Sequence, residues 1–263
     1  MHIYPRVLRS LIVRGLVKDT DNVLVLAGGN FDRQSMLDAK LTNVTISNLD
    51  YHAGHKDYAP YEWRRLDAEK IEVGDECYDW VVIHAGLHHL AVPAMGVCEM
   101  FRVARRGILC FEARDSALMK FAVSVGLTAD HELEPAFLSS GSHGGYRNGP
   151  IPNYVYRWTE REFEKVINSF APTHKHTFFY DYGFQVPAQR FAMSKSRLHR
   201  FAGFAISKLT KAAETMIPKQ GNQFAFGVLK NVSLQPWLTP DLQFKESFLS
   251  KKYDKAKYKK ADD

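Results

Sequence analysis

From residue 22 to residue 111 the sequence alternates short apolar runs with segments of helical character. The apolar runs are too short to be helices, and they cover residues 22–27, 43–47, 80–83 and 108–111. A helix is expected over residues 32–40, and apolar residues recur at helical spacing over 91–104. Continuously apolar strands that alternate with helices are typical of a parallel sheet covered on both faces. The alternation therefore predicts an α/β fold of the doubly wound type.

The second half of the chain adds a loop, a helix start and two strands. Residues 139–153 are rich in Gly, Ser and Pro, which predicts a loop. Thr159 and Glu162 have the spacing of a capping box, so a helix is expected to begin between them. Residues 177–180 and 224–229 are further strand candidates, and a basic stretch of helical character at 188–216 separates them.

Positive charge is concentrated in two late segments. The chain has 35 Lys and Arg against 29 Asp and Glu, a net charge of +6. Residues 190–211 carry +6 and residues 250–263 carry +3, so the rest of the chain is at −3. A mildly acidic bulk without a continuous basic stripe argues against a nucleic-acid partner.

Cysteine usage and hydropathy place the chain in a reducing compartment. Cys77, Cys98 and Cys110 form no CxxC pair, which argues against a cysteine zinc cluster and against a disulfide framework. Charged residues interrupt the N-terminal segment, and no run approaches the ~20 apolar residues of a membrane span. We therefore expect a cytoplasmic protein.

The residues that follow each strand are the expected ligand site, because ligands of open parallel sheets bind beyond the carboxyl ends of the strands. Here they are residues 27–30, 48–50, 67–69 and 84–89. Glycines after the first strand let a ligand approach the backbone, and a polar side chain after the second can hold ribose hydroxyls. The sequence lacks GxGxxG and GxxxxGK[ST], so a nucleoside ligand is favoured over a dinucleotide or a nucleoside triphosphate.

Several blocks, in order, resemble the class I S-adenosylmethionine-dependent methyltransferases from Val23 to about Phe170. NVLVLAGGNFD resembles the first-strand motif of that family, and NVTISNLD resembles its second strand with the ribose-binding turn. LDAEKIEVGDECYDWVVIHAGLHHL resembles the block from the adenine-binding acid to the fourth strand. EMFRVARRGILCFEARDS and YRWTEREFEKVI are similar to the helix and strand that follow and to a later helix.

The resemblance implies a Rossmann-like fold with a seven-stranded, mostly parallel sheet, helices on both faces and a helical cap. Its domain organisation would be an N-terminal helical cap at 1–21 and a methyltransferase-like domain at 22–233. That domain would carry a substrate loop at 139–157 and a cap or lid helix at 188–216, and a C-terminal extension with a Lys-rich tail would follow at 234–263.

The resemblance also implies S-adenosylmethionine as cofactor, with S-adenosylhomocysteine as product, and assigns its contacts. The methionine and ribose part of the cofactor would be contacted by Ala27, Gly28, Gly29 and Asn30, and the ribose by the turn of Asn48, Leu49 and Asp50. The adenine would be contacted by Asp67, Ala68 and Glu69, and the sulfonium by His84. The chain departs from the family pattern at Val25, Ala27 and Phe31, where an acid and two glycines are expected. The ribose-binding acid falls on Asn48, with Asp50 two residues on.

His84, His88 and His89 form the densest group of histidines. Neutral imidazole can remove a proton from a substrate hydroxyl, and its ordinary pKa of about 6.5 suits that work. We therefore expect the catalytic base to be His88 or His84 in preference to His89. For His89, a packing role fits the sequence as well as a catalytic one. A metal site on His84 and His88 is the alternative, but no carboxylate completes it, so we expect no metal.

Polar and aromatic residues beyond the fifth strand are candidates for binding the substrate. Glu112, which also lies at the end of the fifth strand, is expected to point into the same ligand site. A mobile loop with solvated side chains is the alternative. The substrate candidates are Arg114, Asp115, His143, Tyr146, Arg147, Asn153, Tyr154 and Arg157.

Their mixture of aromatic rings, cations and hydrogen-bond donors suits a sugar or a sugar phosphate. The predicted function is methyl transfer to a hydroxyl of a small molecule, a saccharide in surface-glycan biosynthesis. One rival is a catalytically weak S-adenosylmethionine-binding regulatory or partner protein, and a second is an RNA methyltransferase. The stretch at 188–216 is expected to act as a lid. Contact with an anionic membrane, as a lipid-linked glycan substrate would require, is the alternative.

Overall fold

The computed structural model describes residues 2–50, 52–185, 196–197, 200–201, 213–250 and 253. The strands are β1 Asn22–Leu26, β2 Asn43–Asn48, β3 Glu62–Arg65, β4 Tyr78–His84, β5 Ala104–Ala113, β6 His131–Glu132, β7 Asn153–Tyr154, β8 Thr177–Gly183 and β9 Gln223–Leu229. The helices are α1 Ile3–Val13, α2 Asn30–Asp38, α3 His55–Tyr58, α4 Pro93–Val103, α5 Ala117–Ser124, α6 Glu134–Leu138, α7 Glu160–Phe170 and α8 Glu246–Ser250.

Seven of the described strands form one sheet in the order β3-β2-β1-β4-β5-β9-β8. The first five pair in parallel, and β9 runs antiparallel to both β5 and β8. This arrangement confirms the predicted doubly wound, mostly parallel fold. The remaining two described strands, β6 and β7, form a separate antiparallel pair.

Helices cover the sheet on both faces, as the alternating sequence predicted. On one face α4 and α7 pack with inward side chains of β4 and β5, such as Val81 and Ile108. On the other face α1 and α2 pack with Val25 and Trp80. Because successive strand residues point to opposite faces, a continuously apolar strand serves both layers at once.

Helix α1 brings its first residues to the carboxyl end of the sheet. Its buried side chains include Tyr4, Val7, Leu8 and Leu11, which recur at helical spacing and form the face packed on the sheet. The helix contacts β8 and β9, and its N-cap His2 stands near Phe31 and His84. The N-terminal segment thus belongs to one layer of the core and also reaches the ligand side of the sheet.

Helix α7 begins where its sequence signals predicted. Thr159 is the N-cap, and its hydroxyl accepts a hydrogen bond from the Glu162 N–H at 3.2 Å. Phe163 and Ile167, one turn apart, are buried against the sheet. Helix α7 therefore begins shortly after the 139–157 loop ends.

Most of the predicted basic helix at 188–216 and of the Lys-rich tail lies outside the described residues. Residues 213–216 form a helical turn. Among the described residues, none of the helices combines the length and the apolar character needed to cross a bilayer.

Candidate functional site

The turn after β1 combines a strained backbone with two glycines in different roles. Ala27 has φ +50°, a left-handed conformation that L-residues with a Cβ rarely adopt. A Cβ on Gly28 would lie 2.7 Å from Ile46 Cγ2, so this glycine is required by packing against β2. Gly29 is the N-cap of α2, and its N–H donates to Asp32 Oδ2 at 2.9 Å. The position where the family pattern has its first glycine is therefore the strained Ala27.

A cavity of about 300 Å³ opens at the carboxyl ends of β1, β2 and β4. Gly29, Asn30 and His84, also expected to contact the cofactor, do not line it. The cavity thus brings together residues of all four predicted turns, the last of them through Ala85, Gly86 and His89. The predicted cofactor residues along its wall are Ala27, Gly28, Asn48, Leu49, Asp50, Asp67, Ala68 and Glu69.

Asn48 is held by the protein itself. Its side-chain amide donates to the Gly28 carbonyl at 2.8 Å and to Tyr58 Oη at 2.7 Å. Its Oδ1 accepts from the Asp50 N–H at 3.2 Å and from Trp63 Nε1 at 3.3 Å. These bonds make Asn48 a brace between the first two turns, and they leave Asp50 as the carboxylate of the second turn on the cavity wall.

Asp67 is paired with a residue that was expected to bind the substrate. Arg147 Nη2 lies 2.6 Å from Asp67 Oδ2, and Nη1 lies 3.4 Å from Glu69 Oε2. Asp67 Oδ1 accepts from the Glu69 N–H at 2.9 Å. Arg147 and its neighbour Asn148 line the 300 Å³ cavity. The loop folds back over the turn after β3 and so places Arg147 beside the residues predicted to bind the adenine, apart from most of the other residues predicted to bind the substrate.

Glu112 lies at the centre of a buried polar network at the end of β5. Its Oε1 accepts from the N–H groups of Gly86 and Leu87, at 2.8 and 2.6 Å. Its Oε2 lies 2.6 Å from His88 Nδ1. A buried carboxylate with three donors is well satisfied, and it fixes the turn after β4.

His88 is held between two carboxylates. Burial by itself would lower its pKa, but the charge and hydrogen bond of Glu112, with those of Glu132, outweigh burial and raise the pKa to about 10. In this arrangement the imidazole carries a proton at neutral pH, so the expectation of a neutral base at His88 does not fit. Sequence reasoning missed the effect because Glu132 comes from β6, 44 residues away.

Glu132 also approaches His89. Its Oε2 lies 3.3 Å from His88 Nε2 and 3.5 Å from His89 Nε2. One ligand atom from each of these three residues lies within 4.8 Å of the other two. The carboxylate that the sequence did not supply is thus provided by the β6–β7 pair, and the histidine beside His88 in this group is His89 instead of His84.

A second cavity of about 410 Å³ adjoins the first, and Ala85 lines both. His84 lines it, and burial, with the nearby His2, lowers the pKa of His84 to about 4. His84 Nδ1 lies 3.7 Å from Asp32 Oδ1. His84 is therefore a neutral imidazole facing a space next to the expected cofactor cavity. The hydrogen-bonding side chains of this second cavity are His2, His84, His88, Glu112, Gln185, Asn222 and Gln223.

Four of these residues carried no signal in the sequence. His2, Gln185, Asn222 and Gln223 lie far from the strand-end motifs and reach the cavity because α1 and β9 begin there and β8 ends there. The residues predicted to bind the substrate are instead dispersed in the structure. No local pattern distinguishes a polar residue at the start of β9 from a solvated one.

Arg114 has a structural environment. Its guanidinium makes two hydrogen bonds to the Glu160 carboxylate at 2.9 and 3.1 Å and lies 4.8 Å from the ring centres of Tyr182 and Phe224. Its side chain is 8% exposed. The polar face of Arg114 is thus already engaged by Glu160, which does not favour the predicted contact with the substrate.

The other predicted substrate residues are spread over three places. Asp115, Tyr154 and Arg157 line a third cavity, of about 430 Å³. Asn153 is buried, with its amide 3.5 Å from Glu132 Oε2, and His143 and Tyr146 are exposed on the loop. The structure therefore does not bring the predicted set into one site.

Comparison with known proteins finds one family model and several solved structures that are similar to this chain. Residues 27–111, which hold the first cavity's turns, match the model of the family described as "Methyltransferase domain". A structure described as a methyltransferase, from Bacillus halodurans C-125, is 18% identical, with a TM-score of 0.47 over 84% of this chain and 96% of that one. No curated protein matches the chain in sequence.

Two further solved structures are similar at lower identity. A SAM-dependent methyltransferase from Archaeoglobus fulgidus is 10% identical, with a TM-score of 0.49 over 86% of this chain and 94% of that one. The cyclase SpnF is 11% identical, with a TM-score of 0.50 over 87% of this chain and 82% of that one. At such identity the likeness concerns the fold.

Proposed function

We propose that this chain is a class I S-adenosylmethionine-dependent methyltransferase that methylates a hydroxyl of a small polar molecule, since its sheet has the doubly wound order and its residues 27–111 match the methyltransferase-domain family. The observation that supports this proposal is the pair of adjoining cavities, which meet at Ala85. The first carries the family's cofactor turns, and the second is lined by hydrogen-bonding side chains. The cofactor and the methyl acceptor would thus lie in adjoining cavities, one on each side of the end of β4.

The residues of the first cavity fit the cofactor. Gly86 lets the turns after β1 and β4 pack closely at one wall of the cavity, because a Cβ there would stand 2.7 Å from Ala27 Cβ. We assign the ribose hydroxyls to Asp50 and the adenine to Asp67 and Ala68, which follow β2 and β3. Bound S-adenosylmethionine supplies an electrophilic methyl group, whose bond to sulfur breaks as a bond to the acceptor oxygen forms.

His84 is the proposed proton acceptor. It is neutral, since its pKa is lowered to about 4, and it faces the acceptor cavity. A weak base is sufficient, because the hydroxyl proton becomes strongly acidic as its oxygen gains the methyl group. Most of the remaining catalysis is alignment of the acceptor oxygen and exclusion of water.

The lining of the second cavity supports a polyhydroxylated acceptor such as a saccharide. Gln185, Asn222 and Gln223 offer amide donors and acceptors, and His2 offers a ring nitrogen. An acceptor with several hydroxyls satisfies these groups, whereas an apolar acceptor leaves them unpaired at a cost of about 1–3 kcal/mol each. The proposal thus extends the family's methyl transfer to sugars and sugar derivatives.

The test is transfer of a labelled methyl group from S-adenosylmethionine to a panel of monosaccharides, nucleotide-linked sugars and apolar phenols. We expect label in the sugar class. His84→Gln should lower kcat by about 10²-fold or more, the usual contribution of a general base, with little change in the dissociation constant of S-adenosylhomocysteine.

His55→Gln is the matched control, because His55 lies at the start of α3 and lines neither cavity. Its kcat should equal that of the unmodified protein. Tight binding of S-adenosylhomocysteine without label on any acceptor would instead identify a binding protein. Label on phenols alone would overturn the acceptor class.

A further inference from the structure

Three side chains with metal-binding atoms converge between the two cavities. They are His88 and His89, from the turn after β4, and Glu132, from β6. His88 lines the acceptor cavity and His89 lines the cofactor cavity. Two imidazoles and one carboxylate form a ligand set used by zinc sites that keep a position open.

The hydrogen bonds of both imidazoles direct the same ring nitrogen toward Glu132. His88 Nδ1 faces the Glu112 carboxylate at 2.6 Å, and His89 Nδ1 faces the Gly145 carbonyl at 3.1 Å. A carboxylate and a carbonyl only accept hydrogen bonds, so each Nδ1 must carry the donated hydrogen. This is the arrangement in which outer carboxylates and carbonyls orient metal-binding histidines, with Nε2 as the ligand.

The contact between His89 and Glu132 is unfavourable without a cation. With its hydrogen on Nδ1, His89 presents the lone pair of Nε2 to the carboxylate oxygen Oε2 at 3.5 Å. Two acceptors then face each other with no hydrogen between them. A positive ion between the two atoms turns this repulsion into two favourable bonds.

Two of the three distances between the ligand atoms match the edges of a tetrahedral zinc site, and the third lies within 4.8 Å. Ligand atoms about 2.0–2.1 Å from a tetrahedral zinc stand about 3.3–3.4 Å apart. Glu132 Oε2 lies 3.3 Å from His88 Nε2 and 3.5 Å from His89 Nε2. The 2.6 Å contact of His88 with Glu112 is the shorter, charge-assisted bond of this network, and binding of a cation would release the proton that His88 Nε2 shares with Glu132.

We propose that His88 Nε2, His89 Nε2 and Glu132 Oε2 bind one divalent transition-metal cation, of which Zn²⁺ suits the nitrogen-rich set best. The fourth coordination position is left for a small molecule at the junction of the cavities. That this molecule is the hydroxyl of the methyl acceptor rests on the proposed function. Binding of the metal itself is independent of methyl transfer.

Metal binding can be measured without cofactor or acceptor. The full chain is treated with a chelator, dialysed, and titrated with Zn²⁺ and separately with Mg²⁺. We expect one equivalent of tightly bound Zn²⁺ and much weaker binding of Mg²⁺, which prefers oxygen ligands. Co²⁺ in place of Zn²⁺ should give visible absorption bands that report nitrogen coordination.

Two variants and their matched controls localise the ion. Glu132→Gln and His89→Ala each remove one ligand of the metal. Loss of an outer-sphere partner typically weakens metal binding roughly 10–100-fold, so loss of a ligand should weaken Zn²⁺ binding by at least that factor. Glu134→Gln and His131→Ala alter exposed residues of the same chain segment and should bind Zn²⁺ like the unmodified protein.

Circular dichroism verifies the fold of each variant. If a variant does not fold, the Co²⁺ spectrum of the unmodified protein still tests nitrogen coordination. Absence of the one tight equivalent in the unmodified protein would overturn the site. So would unchanged binding in folded Glu132→Gln and His89→Ala. Absence of methyl transfer with intact, ligand-dependent Zn²⁺ binding would count only against the proposed function.

Discussion

Arg147 Nη2 lies 2.6 Å from Asp67 Oδ2, which ties the 139–157 loop to the turn that follows β3. The contact closes one side of the 300 Å³ cavity, where Asn148 of the same loop is also part of the wall. If Asp67 contacts the adenine as we propose, cofactor and loop share this carboxylate. The loop that was expected to recognise the acceptor borders the end of the cavity to which we assign the adenine.

Asp67→Ala should weaken cofactor binding. Loss of a hydrogen bond to a charged group costs about 1.5–3 kcal/mol, so the dissociation constant of S-adenosylhomocysteine should rise about 10-fold or more. Calorimetric titration measures it. Asp38→Ala, an exposed residue of α2, is the control and should bind normally. An unchanged constant in Asp67→Ala would remove Asp67 from the adenine site.

The two glycines after Ala27 should respond differently to alanine. Gly28→Ala places a Cβ 2.7 Å from Ile46 Cγ2, and overpacking of this kind costs about 1–3 kcal/mol of unfolding free energy. Gly29→Ala meets nothing closer than Asp32 Oδ2 at 4.0 Å and should change stability by less than about 0.5 kcal/mol. Urea unfolding compares the two, and equal losses would contradict the packing role of Gly28.

Arg114→Gln should destabilise the fold. The change leaves the Glu160 carboxylate without its buried partner, which typically costs about 3 kcal/mol or more. Arg161→Gln, an exposed neighbour on α7, should leave the free energy of unfolding unchanged in the same urea titration. Normal stability of Arg114→Gln with a raised KM for the acceptor would restore Arg114 to the substrate site.

Asp32 should make stability depend on pH. Burial raises its pKa from 3.8 to about 6, so the folded protein binds this proton more tightly than the unfolded chain does. Its stabilising effect is therefore complete below about pH 4 and is lost as the pH rises through 6. Between pH 4 and pH 7 the free energy of unfolding should fall, relative to Asp32→Asn, by at most about 3 kcal/mol.

Thermal unfolding at several pH values measures this difference, with Asp38→Asn as the exposed control on the same helix. Its pH dependence should follow that of the unmodified protein. Parallel stability curves for Asp32→Asn and the unmodified protein would show that Asp32 has an ordinary affinity for its proton. Within the described part of the chain, Asp32 Oδ1 has no hydrogen-bond partner, which is consistent with a costly ionised form.

The strands of the sheet could be predicted because their signal is local. A run such as 80–83 must be apolar when both faces of the sheet are covered, whatever the neighbouring strand is. Strand β3 escaped prediction because Glu62–Arg65 lies at the edge, where polar side chains face water. The turns after β1, β2 and β4 could also be predicted, since each directly follows a predicted strand, whereas the turn at Asp67 was expected from the resemblance to the methyltransferase family.

By itself the sequence determined the doubly wound fold and the turns at Ala27 and Asp50, because periodicity and strand ends are properties of neighbouring residues. The tertiary structure alone decided which charges meet. It placed Glu132 against His88 across 44 residues of chain and turned Arg147 toward the cofactor site. It also decided the protonation of His88 and His84, since burial and neighbouring charge set a pKa and both arise only from packing.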